Sequence, residues 1–203
     1  MEERLPWHQP HWQRLAAGVE AGRLPHALLL SGPSGLGKML FARQLTQSLL
    51  CRQPGENLTF CGKCRGCRLL AAGSHPDITR VEPEEPGKPI KVDRVRQLCA
   101  FLGQTARGYK VALLSPAEAM NPSAANALLK TLEEPPPGSL LLLVTAFPAR
   151  LPATIRSRCQ ILAFTPPLRT QALEWLSPRV AGFQAGLLLD LTGNAPLAAL
   201  EQA

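Results

Sequence analysis

Aromatic side chains are scarce in this chain of 203 residues: one Tyr, three Trp and six Phe, nowhere interleaved with a run of basic residues. Grooves that grip single-stranded nucleic acid stack bases on aromatics beside basic side chains, so a free-standing strand-binding module is disfavoured. Charge is also thin, at 18% of residues against 45% hydrophobic. That balance excludes wholesale disorder and permits a real core. No apolar run is long enough to span a bilayer, and Met1 to Trp7 lacks the basic start and apolar stretch of a secretion signal. A cytoplasmic protein without membrane contact is expected. There is no internal repeat and no low-complexity tract. The net charge of +7 favours an acidic partner, nucleic acid first, but the basic residues are scattered and a merely soluble basic surface explains them equally well.

Pro and Gly sit as punctuation between apolar runs. His26–Ser31, Ile78–Val81, Lys110–Ser115, Leu140–Ala146 and Gln160–Phe164 read as strands. Helical spacing is expected over Met39–Leu50, Val92–Leu102 and Ala117–Leu132, with a short helical piece at Ile155–Arg158. Alternating strands and helices predict a parallel sheet covered on both faces. Pro166-Pro167 marks a boundary, and residues 169–203 read only as helices around a Gly193-Asn194-Ala195-Pro196 turn. The expected organisation is an α/β domain over 1–166 and a small all-helical domain over 167–203.

Gly32-Pro33-Ser34-Gly35-Leu36-Gly37-Lys38 matches the phosphate-loop pattern, in the required order of strand, loop and helix. Backbone N–H groups and the helix N-terminus would cradle phosphate, with Lys38 as a point charge. The next residue should be Ser or Thr, to bind magnesium, but it is Met39, whose thioether is a poor ligand for a hard cation. The neighbouring strand should end in a carboxylate. Instead it runs into Ser115-Pro116, and nothing in the sequence directs nearby Glu118 to the metal. Hydrolysis by this chain is therefore expected to be negligible. The loop backbone and Lys38 leave room for weak binding of ATP or phosphate.

Six cysteines in a cytosolic chain argue for metal rather than disulfides. Cys51, Cys61, Cys64 and Cys67 form C-x9-C-x2-C-x2-C, a spacing that lets four thiolates face one ion. A closed set of four sulfurs suits structural Zn²⁺, with an iron–sulfur cluster as the rival. Lys63, Arg65 and Arg68 would offset the charge. His75 reads as a loop histidine and Cys99 as a core residue.

These residues together resemble the clamp-loader branch of the AAA+ ATPases, and within it the delta-prime family of bacterial DNA polymerase III. The resemblance is carried by Arg23–Gly32, the four-cysteine insertion, His75-Pro76-Asp77, Ala124–Pro136 and Thr154-Ile155-Arg156-Ser157-Arg158-Cys159. It implies an AAA+ P-loop domain with a five-stranded parallel sheet, a zinc-binding insertion at about 51–67 and a helical lid. It also implies a pentamer, with motor and delta subunits as partners, that opens the ring-shaped sliding clamp and loads it on primed DNA. Such an assembly is part of a DNA-directed DNA polymerase holoenzyme, a nucleotidyltransferase. The family's Ser-Arg-Cys arginine, here Arg158, reaches a neighbour's nucleotide as an arginine finger; without the resemblance, an internal ion pair would be the simpler expectation for Arg158. Motor subunits carry Ser or Thr after the lysine, Asp-Glu after the third strand and a sensing arginine in the lid. This chain has Met39, Ser115-Pro116 and Pro196 instead, which points to the silent subunit. The family's collar domain is expected to be absent from this chain. The competing readings are an active motor ATPase and a zinc-bearing nucleic-acid-binding module.

Overall fold

The structure is a computed structural model that describes residues 4–105, 108–180 and 184–203. A 3₁₀ turn at Pro6–His8 leads into helix α1 (Gln9–Glu20). Then come β1 (Ala27–Ser31), α2 (Lys38–Leu49), α3 (Arg65–Ala71), β2 (Ile78–Val81) and α4 (Val92–Leu102). β3 (Lys110–Leu114), α5 (Pro122–Glu133), β4 (Ser139–Thr145), α6 (Ala153–Arg156) and β5 (Gln160–Ala163) complete the α/β part. Three helices follow: α7 (Arg169–Leu176), α8 (Gln184–Leu191) and α9 (Pro196–Glu201).

All five strands are parallel, in the order β2-β3-β4-β1-β5. β1, β3 and β4 are buried along their whole length, which is why they read as unbroken apolar runs rather than alternating ones. Alternate residues still divide between two cores. Leu28, Leu30, Val111, Leu113, Leu140 and Leu142 face Trp12 and Leu15 of α1, Phe41 and Leu45 of α2, and Leu70 of α3. Ala27, Leu29, Ala112, Leu114, Leu141 and Leu143 face Val95 and Leu98 of α4, Leu128 and Leu132 of α5, and Ile155 of α6. Each leucine side chain so buried contributes about 1.5–3 kcal/mol. The three last helices hold a smaller core of their own around Ala172, Leu176, Leu188, Leu189 and Ala199.

The single helix expected over Ala117–Leu132 is two pieces. A 3₁₀ turn covers Ala117–Ala119, and α5 starts at Pro122. Asn121 caps α5 by accepting a hydrogen bond from the Ala124 N–H at 2.7 Å, and Pro122 takes the first helical position, where its missing N–H costs nothing. α1 and α3 were not among the expected helices. α1 has a long polar face, and α3 is only seven residues inside the cysteine segment. The other elements fall within a residue or two of the expected bounds. Among the described residues no helix is long and apolar enough to cross a membrane.

Candidate functional site

β1 lies at the point where the chain changes direction across the sheet, between β4 and β5. Ligands of open α/β sheets bind at the carboxyl end of strands at such a point, and the Gly32–Lys38 loop occupies that place. Gly32 has φ +144°, and a Cβ there would lie 2.1 Å from the Phe164 carbonyl oxygen, so only glycine fits. Gly37 is left-handed, with φ +84°, and its carbonyl accepts the Phe41 N–H at 2.9 Å, opening α2.

Lys38 is 6% exposed, and its ammonium donates to the carbonyls of Gly32 and Pro33, each at 2.6 Å. Burial lowers its pKa, while the charge of Glu118 acts in the opposite sense. Glu118 is a residue that sequence reasoning left outside the site. The 3₁₀ turn after β3 carries it under β4, where one carboxylate oxygen accepts the Ala146 N–H at 3.1 Å and the other is buried without a hydrogen-bond partner. No local pattern signals this, because the turn that aims it is set by the packing of Ala117. Met39, in the position of the magnesium-binding hydroxyl, packs instead against apolar neighbours. It lines a cavity of about 390 Å³ with Leu5, Leu40, Trp175, Leu197 and Leu200.

The loop is gripped from two sides. The Leu197 N–H of α9 donates to the Gly35 carbonyl at 3.1 Å, and Ala198 sits so close that a Cβ on Gly35 would be 2.4 Å from its methyl. From the N-terminus, Trp7 donates through its indole to the Leu36 carbonyl at 3.0 Å, and the His8 imidazole donates to the same oxygen at 2.7 Å. Trp7 also meets Trp175 of α7 edge to face at 5.3 Å. Trp7 thus packs against the small helical region, and Trp12 lies in the core. Burial pushes the pKa of His8 down to about 4, against the raising effect of its bond to Leu36, so the ring is neutral at pH 7. Pro33 and Ser34 are exposed at the tip of the loop.

The four cysteines converge. Cys51 follows α2, Cys61 lies in the intervening loop, Cys64 caps α3 and Cys67 lies in its first turn. Their sulfurs all lie within 4.8 Å of one another, with Cys51 to Cys61 at 3.6 Å and Cys51 to Cys64 at 3.9 Å. Tetrahedral zinc with Zn–S bonds of about 2.3 Å requires sulfurs about 3.8 Å apart. Backbone N–H groups point at the sulfurs: those of Gln53 and Cys61 at Cys51, that of Cys64 at Cys61, and those of Arg52 and Cys67 at Cys64, all at 3.4–3.5 Å. The bonds from Cys67 and Arg52 draw the Cys64 pKa down to about 6, whereas burial pushes Cys67 up to about 12. Four clustered thiols cannot all ionise without a cation, and this donor set fits a closed structural zinc site. Lys63, Arg65 and Arg68 are exposed around it. His75 accepts the Asp77 N–H at 3.1 Å in its own loop, and Cys99 is partly buried against α5.

Arg158 lies elsewhere. It follows α6 and precedes β5, whose first residue, Gln160, pairs with Leu28 near the start of β1. Gly32 follows the far end of β1. The four residues of β5 span roughly 13 Å at about 3.3 Å each, so Arg158 and the phosphate loop sit at opposite ends of the neighbouring strands β1 and β5. The guanidinium pairs with Glu133 at the end of α5, at 2.7 Å, and donates to the Thr154 carbonyl at 3.0 Å. It is 35% exposed. The internal ion pair that residues alone made the simpler expectation is therefore present, on the surface.

The family model described as "DNA polymerase III, delta subunit" matches residues 7–168. The chain is 47% identical over 204 residues to DNA polymerase III subunit delta' of Pseudomonas aeruginosa, an alignment covering 98% of this chain and 61% of that protein. It is 43% identical over 199 residues to subunit delta' of Escherichia coli K12, covering 96% and 59% respectively. The chain thus spans about three fifths of the length of these curated relatives. Among solved structures it is similar in fold to the DNA polymerase III gamma subunit-related protein of Thermotoga maritima, with TM-score 0.60 and 23% identity, over 94% of this chain and 57% of that one. The five-stranded parallel sheet agrees with that likeness in fold. The chain belongs to the DNA polymerase III delta-subunit family, on the branch whose members are named delta-prime.

Proposed function

We propose that this chain works as a non-hydrolysing subunit of a clamp loader. In this reading it helps the motor and delta subunits load the sliding clamp on primed DNA, and lends Arg158 to the nucleotide of a neighbouring ATPase subunit. Residues 1–166 form the AAA+ domain and 167–203 its lid, with a structural zinc held by Cys51, Cys61, Cys64 and Cys67. The observation that carries the reading is the position of Arg158, a strand's length from the chain's own phosphate loop and partly exposed. No side chain spans that distance, so a phosphate reached by Arg158 belongs to another molecule. A guanidinium suits that task, being permanently charged and forked to match phosphate oxygens.

The chain's own loop supports the silent half of the reading. Met39 is packed in apolar contact, β3 ends at Leu114 without a carboxylate, and Lys38 is tied to loop carbonyls under α9. Transfer of a phosphoryl group needs a metal and an oriented water to stabilise developing charge. The retained lysine with Glu118 beside it favours the second reading, an active ATPase. Magnesium-dependent turnover by the chain alone would establish that reading. The test of the first is the ATPase rate of the reconstituted assembly. Arg158→Ala is expected to lower kcat by about 10³-fold or more, the usual worth of an arginine finger, and an unchanged rate refutes it.

A further inference from the structure

The Arg158–Glu133 pair has a feature that helix stability does not explain. Glu133 is the last residue of α5, where the carbonyl ends of the helix concentrate negative charge and a carboxylate is unfavourable. Its carboxylate nonetheless takes one terminal nitrogen of Arg158 at 2.7 Å, while the Thr154 carbonyl takes the other at 3.0 Å. Both prongs of the guanidinium fork are therefore engaged within the chain. The guanidinium has five N–H donors, so a phosphate need not displace either partner outright, but one that docks across the two terminal nitrogens meets the Glu133 carboxylate beside it, and the like charges repel. Both side chains are substantially exposed, Arg158 at 35% and Glu133 at 50%, so the pair is weak and readily exchanged.

We infer that Glu133 is a positioning residue that parks Arg158, competing with the neighbouring subunit's nucleotide for the guanidinium. The inference rests on the arginine-finger reading given above. Parking keeps the arginine at the surface in one orientation until a group of higher negative charge docks beside it. A phosphate then replaces the carboxylate, and Glu133 returns to solvent. No bond is made or broken beyond the exchange of hydrogen bonds. Because a parked arginine must be released before it helps, removing the competitor raises the assembly's efficiency rather than lowering it.

The experiment is steady-state ATP hydrolysis by the assembly reconstituted with its partner subunits, using the full-length protein as wild type, Glu133→Gln, Glu133→Asp, Arg158→Ala and the double variant E133Q/R158A. At low ionic strength E133Q is expected to raise kcat/KM about two- to fivefold, the range of an exposed ion pair. The gain shrinks as salt screens the pair in the wild type. Glu133→Asp, which keeps the charge, returns kcat/KM towards the wild-type value. The double variant is expected to match Arg158→Ala, because parking acts only through the arginine. An unchanged or lowered kcat/KM in E133Q overturns the inference, as does a gain that persists in the double variant. Arg158→Ala with wild-type kcat overturns the arginine-finger reading itself. Loss of activity in Arg158→Ala without a gain in E133Q overturns the parking role alone.

Discussion

Acidification should loosen this chain through one histidine. His8 is fully buried, edge-on to Phe41 and Phe164 at 5.4 and 5.1 Å, with its imidazole donating to the Leu36 carbonyl. Burial lowers its pKa from the ordinary 6.5 to about 4. Unfolding returns the ring to water, where it takes up a proton near pH 6.5. Between pH 6.5 and 4 the unfolded state therefore binds more protons than the folded one, and stability falls as pH falls. The stabilisation is complete above pH 6.5 and is lost progressively down to pH 4. With these two values the loss is about 2 kcal/mol by pH 5 and about 3 kcal/mol below pH 4. The reference is His8→Phe, which keeps a ring between Phe41 and Phe164 but cannot titrate. Its cost at pH 7 is limited to about 1 kcal/mol, because Trp7 still donates to the Leu36 carbonyl. Urea unfolding of both proteins at pH 7 and pH 5 isolates His8, since His11 and the cysteine cluster titrate in both. The wild type should lose about 2 kcal/mol more than His8→Phe over that interval. Equal losses, or a His8 ring that titrates at 6.5 by NMR in the folded protein, would refute the argument.

Two further outcomes follow from the geometry. The chain should bind one zinc ion, and Cys64→Ser or a chelator should release it and lower the melting temperature. Metal analysis that finds iron, or no metal, in the wild type contradicts the fit of the four sulfurs. Gly32→Ala sets a methyl 2.1 Å from the Phe164 carbonyl at a φ of +144°, and should destabilise the chain by about 2 kcal/mol or more. An unchanged denaturation midpoint would mean that β5 can shift away from the loop.

The strands and most of the helices were legible because their signals are local. β1, β3 and β4 are each buried on both faces, so their central residues form unbroken apolar runs, and α4 shows its buried face at helical spacing. The split before α5 was harder to read, since the run continues in helix-forming residues through Ala119 and only the Asn121 cap marks the true start. The cysteine spacing and the Gly32–Lys38 pattern likewise carried their chemistry in sequence, because ligand spacing and glycine conformation are properties of a short stretch. What the sequence by itself determined was therefore the parallel α/β class, the Gly32–Lys38 loop with Met39 in place of a magnesium-binding hydroxyl, and the four-cysteine cluster. Only the tertiary structure decided which distant groups meet. It set Glu118 against Ala146, Leu197 and Trp7 on the phosphate loop, His8 among aromatic rings, and Glu133 against Arg158 at the opposite end of the strands from that loop. Each of those pairs joins residues at least 25 positions apart. Contacts of that kind depend on how the sheet is ordered and how helices pack on it, and no periodicity along the chain encodes them.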